Sequence, residues 1–559
     1  MSFFEIPFLV RDFKEKKALK VPFLQVLIKF SKKINSVNQQ TVKNVFLRNI
    51  KIEMKKYLLL FIITAFVMSC SKKVEVKGKI TGSSPLERIE FVEASGVATL
   101  PLVNIGLDKN GNFTGSFEAP KDGMYVINYA GRQNLIYLEG GQNLNISGNA
   151  MTFPNEFVVT GDAKKNNDFL QASQKFLGEY GSKINIQQLM SGDEKTFLKG
   201  AQKIEADINK NVEDVAQKNN PSKGILEWKK NDVKVTILNL LANYEMSQRQ
   251  MSGNPSFKVS KAFQDYETKL EGNKDVMVKT IPLYRQYLLV KMSPDFQKYA
   301  EAKTKGKTDV ITSEIFAQFL KDRKEISQTA KDYLLAFVVA QDIHPGAPAK
   351  NTEKVKKIID TDITDAGIKA DLVKMQVAIN GVKVGEAAPE AALVKADGKS
   401  YQLSENKGKP YMLFFYASWN PYISEATVPV LKEVVNFYKS KMNFVFVNVD
   451  DTKDQFVKTS SALLKGIPGT NVYGEKGLES EIAKKYGVYG FKLPCFVIVD
   501  KDGKIASRSF VNLGEQEVVT VLDKLTGLSA PKVQPNIQMQ PGAMDPSAQP
   551  VNPQPAPTK

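Results

Sequence analysis

The sequence predicts a multidomain protein with an N-terminal antiparallel β module, a helical middle domain and a C-terminal α/β domain. Three observations carry that reading. Apolar residues alternate in short runs between turn sequences up to about Gly161, recur at helical spacing from Asn166 to about Asn380, and form continuous runs after Gly385. A chain of 559 residues has room for several cores, and its 42% apolar and 25% charged content is that of globular domains.

The first element is a leader. Met54-Lys55-Lys56-Tyr57 precedes an apolar run from Leu58 to Val67 and then Met68-Ser69-Cys70. As a helix that run measures about 15 Å, too short for a hydrocarbon core of about 30 Å, so residues 54–69 read as a cleaved export signal. Val67-Met68-Ser69-Cys70 resembles a bacterial lipobox, with Met68 where a smaller residue is usual. The resemblance implies that Cys70 carries the lipid and becomes the mature N-terminus. Residues 1–53 then read as a non-native or disordered extension.

In the β module, residues 70–161, Val74, Val76 and Ile80 alternate, and Asp108-Lys109-Asn110-Gly111 reads as a turn. Tyr125, Ile127 and Tyr129 alternate again, and Gly140-Gly141 precedes Leu144 and Ile146. Period-two patterning gives each strand one core face, so an antiparallel sheet or sandwich is expected. In the helical domain, residues 162–380, Phe169, Leu170, Phe176 and Leu177 open the pattern. Ser191-Gly192-Asp193-Glu194 reads as a capping box, and Pro294, Pro345 and Pro348 as breaks. Tyr284, Tyr287 and Leu288 share a helical face and read as core.

The α/β domain, residues 381–528, opens with Gly385-Glu386-Ala387-Ala388-Pro389. Tyr411 to Tyr416 is a continuous apolar run and Phe444 to Val449 is apolar but for Asn448, as in strands buried on both faces. Ala417-Ser418-Trp419-Asn420-Pro421-Tyr422-Ile423 follows the first, with a helix expected from Ser424 to Tyr438. Thr452 to Gln455 reads as a capping box. Tyr486-Gly487-Val488 leads to Leu493-Pro494, the strand Cys495 to Val499, and a turn at Asp502-Gly503 into a returning strand.

These motifs, in this order, resemble the thioredoxin-like proteins of the TlpA and alkyl hydroperoxide reductase/thiol-specific antioxidant (AhpC/TSA) group. The β-module-first layout also resembles a domain of unknown function that precedes thioredoxin domains in Gram-negative lipoproteins. The resemblance implies a cis Leu493–Pro494 bond and a Cys-x-x-Cys pair after Trp419. Here Asn420 and Ile423 hold those places, and Phe414 stands where many relatives carry a buried acid. Without a thiolate there is no attacking atom for disulfide exchange. The degenerate motif Trp419-Asn420-Pro421-Tyr422-Ile423 therefore yields no catalytic residue. Cys495 is the lone thiol that could restore chemistry, with an inert core cysteine as the opposing reading. Trp419, Tyr422, Leu493 and Pro494 are the candidate binding residues for an extended peptide or envelope protein partner.

The last element, residues 529–559, holds eight prolines between Pro531 and Pro557 and reads as a disordered Pro/Gln-rich tail. Of the formal charge of +17, the first 69 residues supply +9, with 13 Lys/Arg against 4 Asp/Glu. The remainder shows no basic run interleaved with aromatics, so no nucleic-acid partner is expected. With two cysteines and one histidine, His344 in a turn, no metal site and no cofactor is expected. The sequence thus predicts a Gram-negative envelope lipoprotein, lipid-anchored and periplasm-facing, that is redox-inactive, with a thiol-disulfide oxidoreductase or peroxidase-like antioxidant acting through Cys495 as the alternative.

Overall fold

A computed structural model describes residues 73–119, 121–254, 257–305, 309–344, 347–507 and 513–530. The expected extension, export signal and Cys70, and the tail beyond Ala530, lie outside the described residues.

Eight strands form the β module: β1 (Lys73–Thr81), β2 (Arg88–Glu93), β3 (Pro101–Gly106), β4 (Asn112–Glu118), β5 (Gly123–Tyr129), β6 (Arg132–Leu138), β7 (Asn143–Asn149) and β8 (Phe157–Gly161). They pair as two four-stranded sheets, ordered β4-β1-β7-β8 and β3-β2-β5-β6. Alternation works as read: Val74, Val76 and Ile80 are buried along β1 and meet Phe91, Tyr125, Ile127 and Tyr129 in one core. One pairing departs from the antiparallel expectation. β1 and β7 run parallel, with Val76 opposite Leu144, because the chain passes through the second sheet between β4 and β7 and returns in the direction of β1. At Gly78 a Cβ would lie 1.9 Å from the carbonyl oxygen of Ile146, so only glycine permits this approach.

Eleven helices among the described residues run from Lys164–Gly181 to Ala366–Asn380. Phe197 and Tyr244 stack at 3.9 Å in their core, and Tyr284 and Tyr287 are buried there as read. Two local expectations need correction. Asp193, not Ser191, caps the helix Glu194–Asn219 by accepting from the Thr196 N–H, since its own extended backbone puts its carboxylate at the N-terminus. Pro294 lies inside the helix Pro282–Thr304 and does not end it. Apolar contact joins this domain to the β module, where Met124 and Tyr137 pack with Phe169, Leu170, Ile225 and Val233. Arg285 reinforces the seam by donating to the carbonyl of Ser95 at 2.6 Å.

The α/β domain contains β9 (Leu393–Lys395), β10 (Ser400–Tyr401), β11 (Tyr411–Tyr416), β12 (Asn443–Asn448), β13 (Thr470–Tyr473) and β14 (Cys495–Val499), ordered β10-β9-β13-β12-β11-β14. β11 is parallel to β12 and antiparallel to β14. Its six residues are all buried: Leu413 and Phe415 enter one core, Met412, Phe414 and Tyr416 the other. The capping box Thr452–Gln455 forms as read. The expected returning strand is reduced to isolated bridges at Lys504 and Ile505. The helix expected from Ser424 begins as a π turn, Ile423–Thr427, and becomes α-helical at Val428–Tyr438. Pro429 explains this, because it has no N–H for the ladder and its ring would meet the carbonyl of Glu425 in a regular helix.

Candidate functional site

The turn after β11 is held from below by Asp450, at the end of β12. One carboxylate oxygen accepts from the Ser418 N–H at 2.7 Å and its hydroxyl at 2.9 Å. The other accepts from the Asn448 amide and the Thr459 hydroxyl, both at 2.9 Å. Four donors let a fully buried carboxylate stay in place, and they fix where the next residue, Trp419, begins.

Asn420 is buried and bridges two segments. Its side-chain oxygen accepts from the Tyr422 N–H at 3.0 Å, and its amide donates to the carbonyl of Leu493 at 2.7 Å. Leu493–Pro494 is cis. The structure thus brings the degenerate motif and the Leu493–Pro494 segment together. Ile423 points into the core with Tyr416, Phe446 and Phe496. Phe414, in the acid's place, lies edge-on to Phe446 at 6.4 Å. Neither redox position, Asn420 or Ile423, presents a group that could carry a negative charge.

The four candidate binding residues differ in access. Tyr422 is 57% exposed, beside exposed Pro421. Leu493 and Pro494 are buried, and so is Trp419. What covers Trp419 comes from another domain: the Arg88 guanidinium of β2 lies 4.2 Å from the centroid of its ring. Arg88 also forms a two-pronged ion pair with Asp451, at 3.0 and 2.7 Å. Asn104 of β3 accepts from it, through side chain and backbone. Beside it, burial pushes the Glu90 carboxyl above the ordinary carboxylate range, although Asn104 and Asn128 donate to it.

Cys495 is buried, and burial pushes its thiol up to about 11. Lys492 is buried too; its amine is driven below the usual lysine value by burial, against a smaller opposing pull from Cys495, and has no hydrogen-bond partner. Asp450, Arg88, Glu90 and Lys492 were not legible as site residues. Only Asp450 had a local signal, an acid ending a buried parallel strand, where sites on open sheets cluster. Among the described residues, no group of His, Cys, Asp or Glu could hold a metal ion.

A mixed sheet with β11 between parallel β12 and antiparallel β14, a turn into a helix and a cis proline opposite define a thioredoxin-like domain. Its two redox positions hold an amide and an alkyl group. Residues 383–523 match the family model described as Redoxin, and the C-terminal domain of this chain is a redoxin domain. The thiol-disulfide oxidoreductase ResA of Bacillus thuringiensis (strain Al Hakam) is 29% identical over 168 residues, 29% of this chain and 84% of that protein. ResA of Bacillus cereus (strain ATCC 10987) is 29% identical over 150 residues, 26% of this chain and 80% of that protein. Among solved structures, the thioredoxin domain of a thiol-disulfide oxidoreductase from Bacteroides vulgatus covers 26% of this chain and 99% of its own, at 19% identity and a TM-score of 0.23.

Proposed function

We propose that this chain is a non-catalytic lipoprotein of the Gram-negative envelope, anchored through Cys70, whose redoxin domain binds an extended peptide or partner protein beside Trp419 and Pro494. The observation that carries the reading is the bond from Asn420 to Leu493. The place of an attacking thiol is filled by an amide built into the turn, while Ile423 serves as core. Exchange requires an accessible thiolate, and Cys495 is neither accessible nor acidic. Insulin-reduction and peroxide-consumption assays test this: neither the natural protein nor Cys495→Ser should turn over. Turnover that Cys495→Ser abolishes would overturn it. On the binding side, Trp419→Ala should lose capture of an extended peptide.

The second reading, an oxidoreductase acting through Cys495, is favoured by the redoxin match and by the activity named for the relatives. It requires the β14 end to open far enough to expose a thiol that is now buried. Residence outside the cytoplasm rests on the export-signal pattern ahead of Cys70. Palmitate incorporation that is lost in Cys70→Ala is the expected result for the anchor.

A further inference from the structure

We infer that Arg88 is a latch: it holds the β module over the Trp419 face of the redoxin domain, and an outside ligand reaches that face only when the latch opens. The inference rests on the binding function proposed above for this turn.

The geometry is specific. Arg88 leaves an outward-facing position of β2, beside the buried Ile89, and places its guanidinium carbon over the Trp419 ring, 4.2 Å from the centroid. The same group pairs with both carboxylate oxygens of Asp451, one residue from the Asp450 that fixes the turn. An arginine fork is suited to this double task, since its planar group stacks on an aromatic face while its edge meets a carboxylate. The two domains fit closely here. A Cβ on Gly106 of β3 would lie 2.5 Å from Asp451, and one on Gly490 would lie 3.0 Å from Asn104.

The seams of the β module differ in chemistry. Against the helical domain it is sealed by an apolar cluster of Met124, Tyr137, Phe169, Leu170, Ile225 and Val233. Against the redoxin domain, the contacts named among the described residues are Arg88, Glu90, Asn104 and Gly106 on one side, facing Trp419, Asp451 and Gly490 on the other. The apolar clusters of the two domains share no residue. A cavity of about 80 Å³ lies in this seam, lined by polar Glu90, Asn104 and Lys484 and by apolar Leu102, Leu478 and Val488, among others. A seam of mixed polarity that is imperfectly filled, unlike a large apolar one, is one along which domains move. A pivot is present as well: Gly381, with φ 74° and ψ −170°, ends the last helix of the middle domain in a conformation only glycine takes readily. Val382 is buried in the redoxin core and the Gly385 N–H donates to the Ile505 carbonyl, so the pivot is Gly381: a turn there carries residues 382–385 with the redoxin domain, parts the close approach of Gly487 to Val377, and leaves the β module fixed to the helices.

Trp419 is one of two tryptophans, which makes the state of the latch measurable. In a Trp228→Phe background, acrylamide quenching of the full chain reads Trp419 alone. Weak quenching is expected with Arg88 present and several-fold stronger quenching in Arg88→Ala. Asp451→Asn, which leaves the stacked arginine in place, should give an intermediate increase and serves if Arg88→Ala does not fold. Quenching unchanged in both variants overturns the latch. The same proteins are then titrated with reduced, alkylated insulin chains as an extended-peptide probe. Stronger quenching with tighter probe binding supports both latch and groove. Stronger quenching with no gain in binding supports the latch and overturns the groove reading on which its purpose rests.

Discussion

The side-chain amide of Asn420 donates to the carbonyl of Leu493 at 2.7 Å, across 73 residues of sequence. This bond ties the turn after β11 to the cis-proline segment, while the Asn420 side-chain oxygen holds the Tyr422 N–H. Removing both bonds at a buried site costs on the order of 1–3 kcal/mol, so chemical denaturation of Asn420→Ala should show a loss of that size. Asn420→Asp keeps the acceptor but turns a carboxylate oxygen toward a carbonyl. Its deficit should exceed that of Asn420→Ala at neutral pH and shrink on acidification, as the acid regains a proton to donate.

Cys495 should be silent in the native fold. In a Cys70→Ser chain, Ellman's reagent at neutral pH should label Cys495 only once denaturant is added. The same burial sets an alkaline signature. The thiol's native value is about 11 against an ordinary 9.0, so the unfolded chain gives up this proton first. Stability present below about 9 is therefore lost as pH rises toward about 11. The difference between the natural protein and Cys495→Ala, followed by thermal melts, should shift against the natural protein across that window.

Lys492 presents the opposite case, a buried amine without a partner. Replacing it by methionine removes a donor whose burial costs about 1–3 kcal/mol, and a stabilisation of that order is expected at neutral pH. Because burial holds the native amine below the ordinary lysine value, the natural protein recovers stability as pH rises toward that value. The advantage of Lys492→Met in denaturant midpoint should therefore be largest at neutral pH and fade in alkali.

Glu90 sits in the latch seam with its carboxyl raised by burial. Folding then takes up a proton, so stability gains as pH falls from neutral toward the ordinary carboxylate range. Glu90→Gln has no such dependence. It can keep the bond from Asn104, and the Asn128 amide, whose oxygen lacks a partner, can turn to accept from the new side chain. Melts should show Glu90→Gln at least as stable as the natural protein at neutral pH, with the natural protein gaining on it in acid.

Much of the fold was legible because it depends on local pattern. Val74, Val76 and Ile80 declared a half-buried strand, and Tyr411 to Tyr416 a strand covered on both faces. Thr452 and Gln455 announced a helix start that forms as read. The parallel β1–β7 pair was not legible, since strand spacing does not encode which neighbour the chain returns to. The π turn at Ile423–Thr427 was missed although Pro429 was in view, because a proline near a helix start is also compatible with a regular first turn.

For the candidate site, the sequence by itself determined that both redox positions lack sulfur and that an aromatic residue replaces the acid, because a side chain's chemistry is fixed by its identity. Only the tertiary structure decided what those residues do. Asn420 became a tie to Leu493, Ile423 a core residue, and Cys495 an inaccessible thiol. Trp419, which the motif alone presents as open surface, is covered by Arg88 from 331 positions earlier in the chain. An outward position on a half-buried strand is simply polar in sequence. Its partner is chosen by how two domains meet, and no local pattern records that.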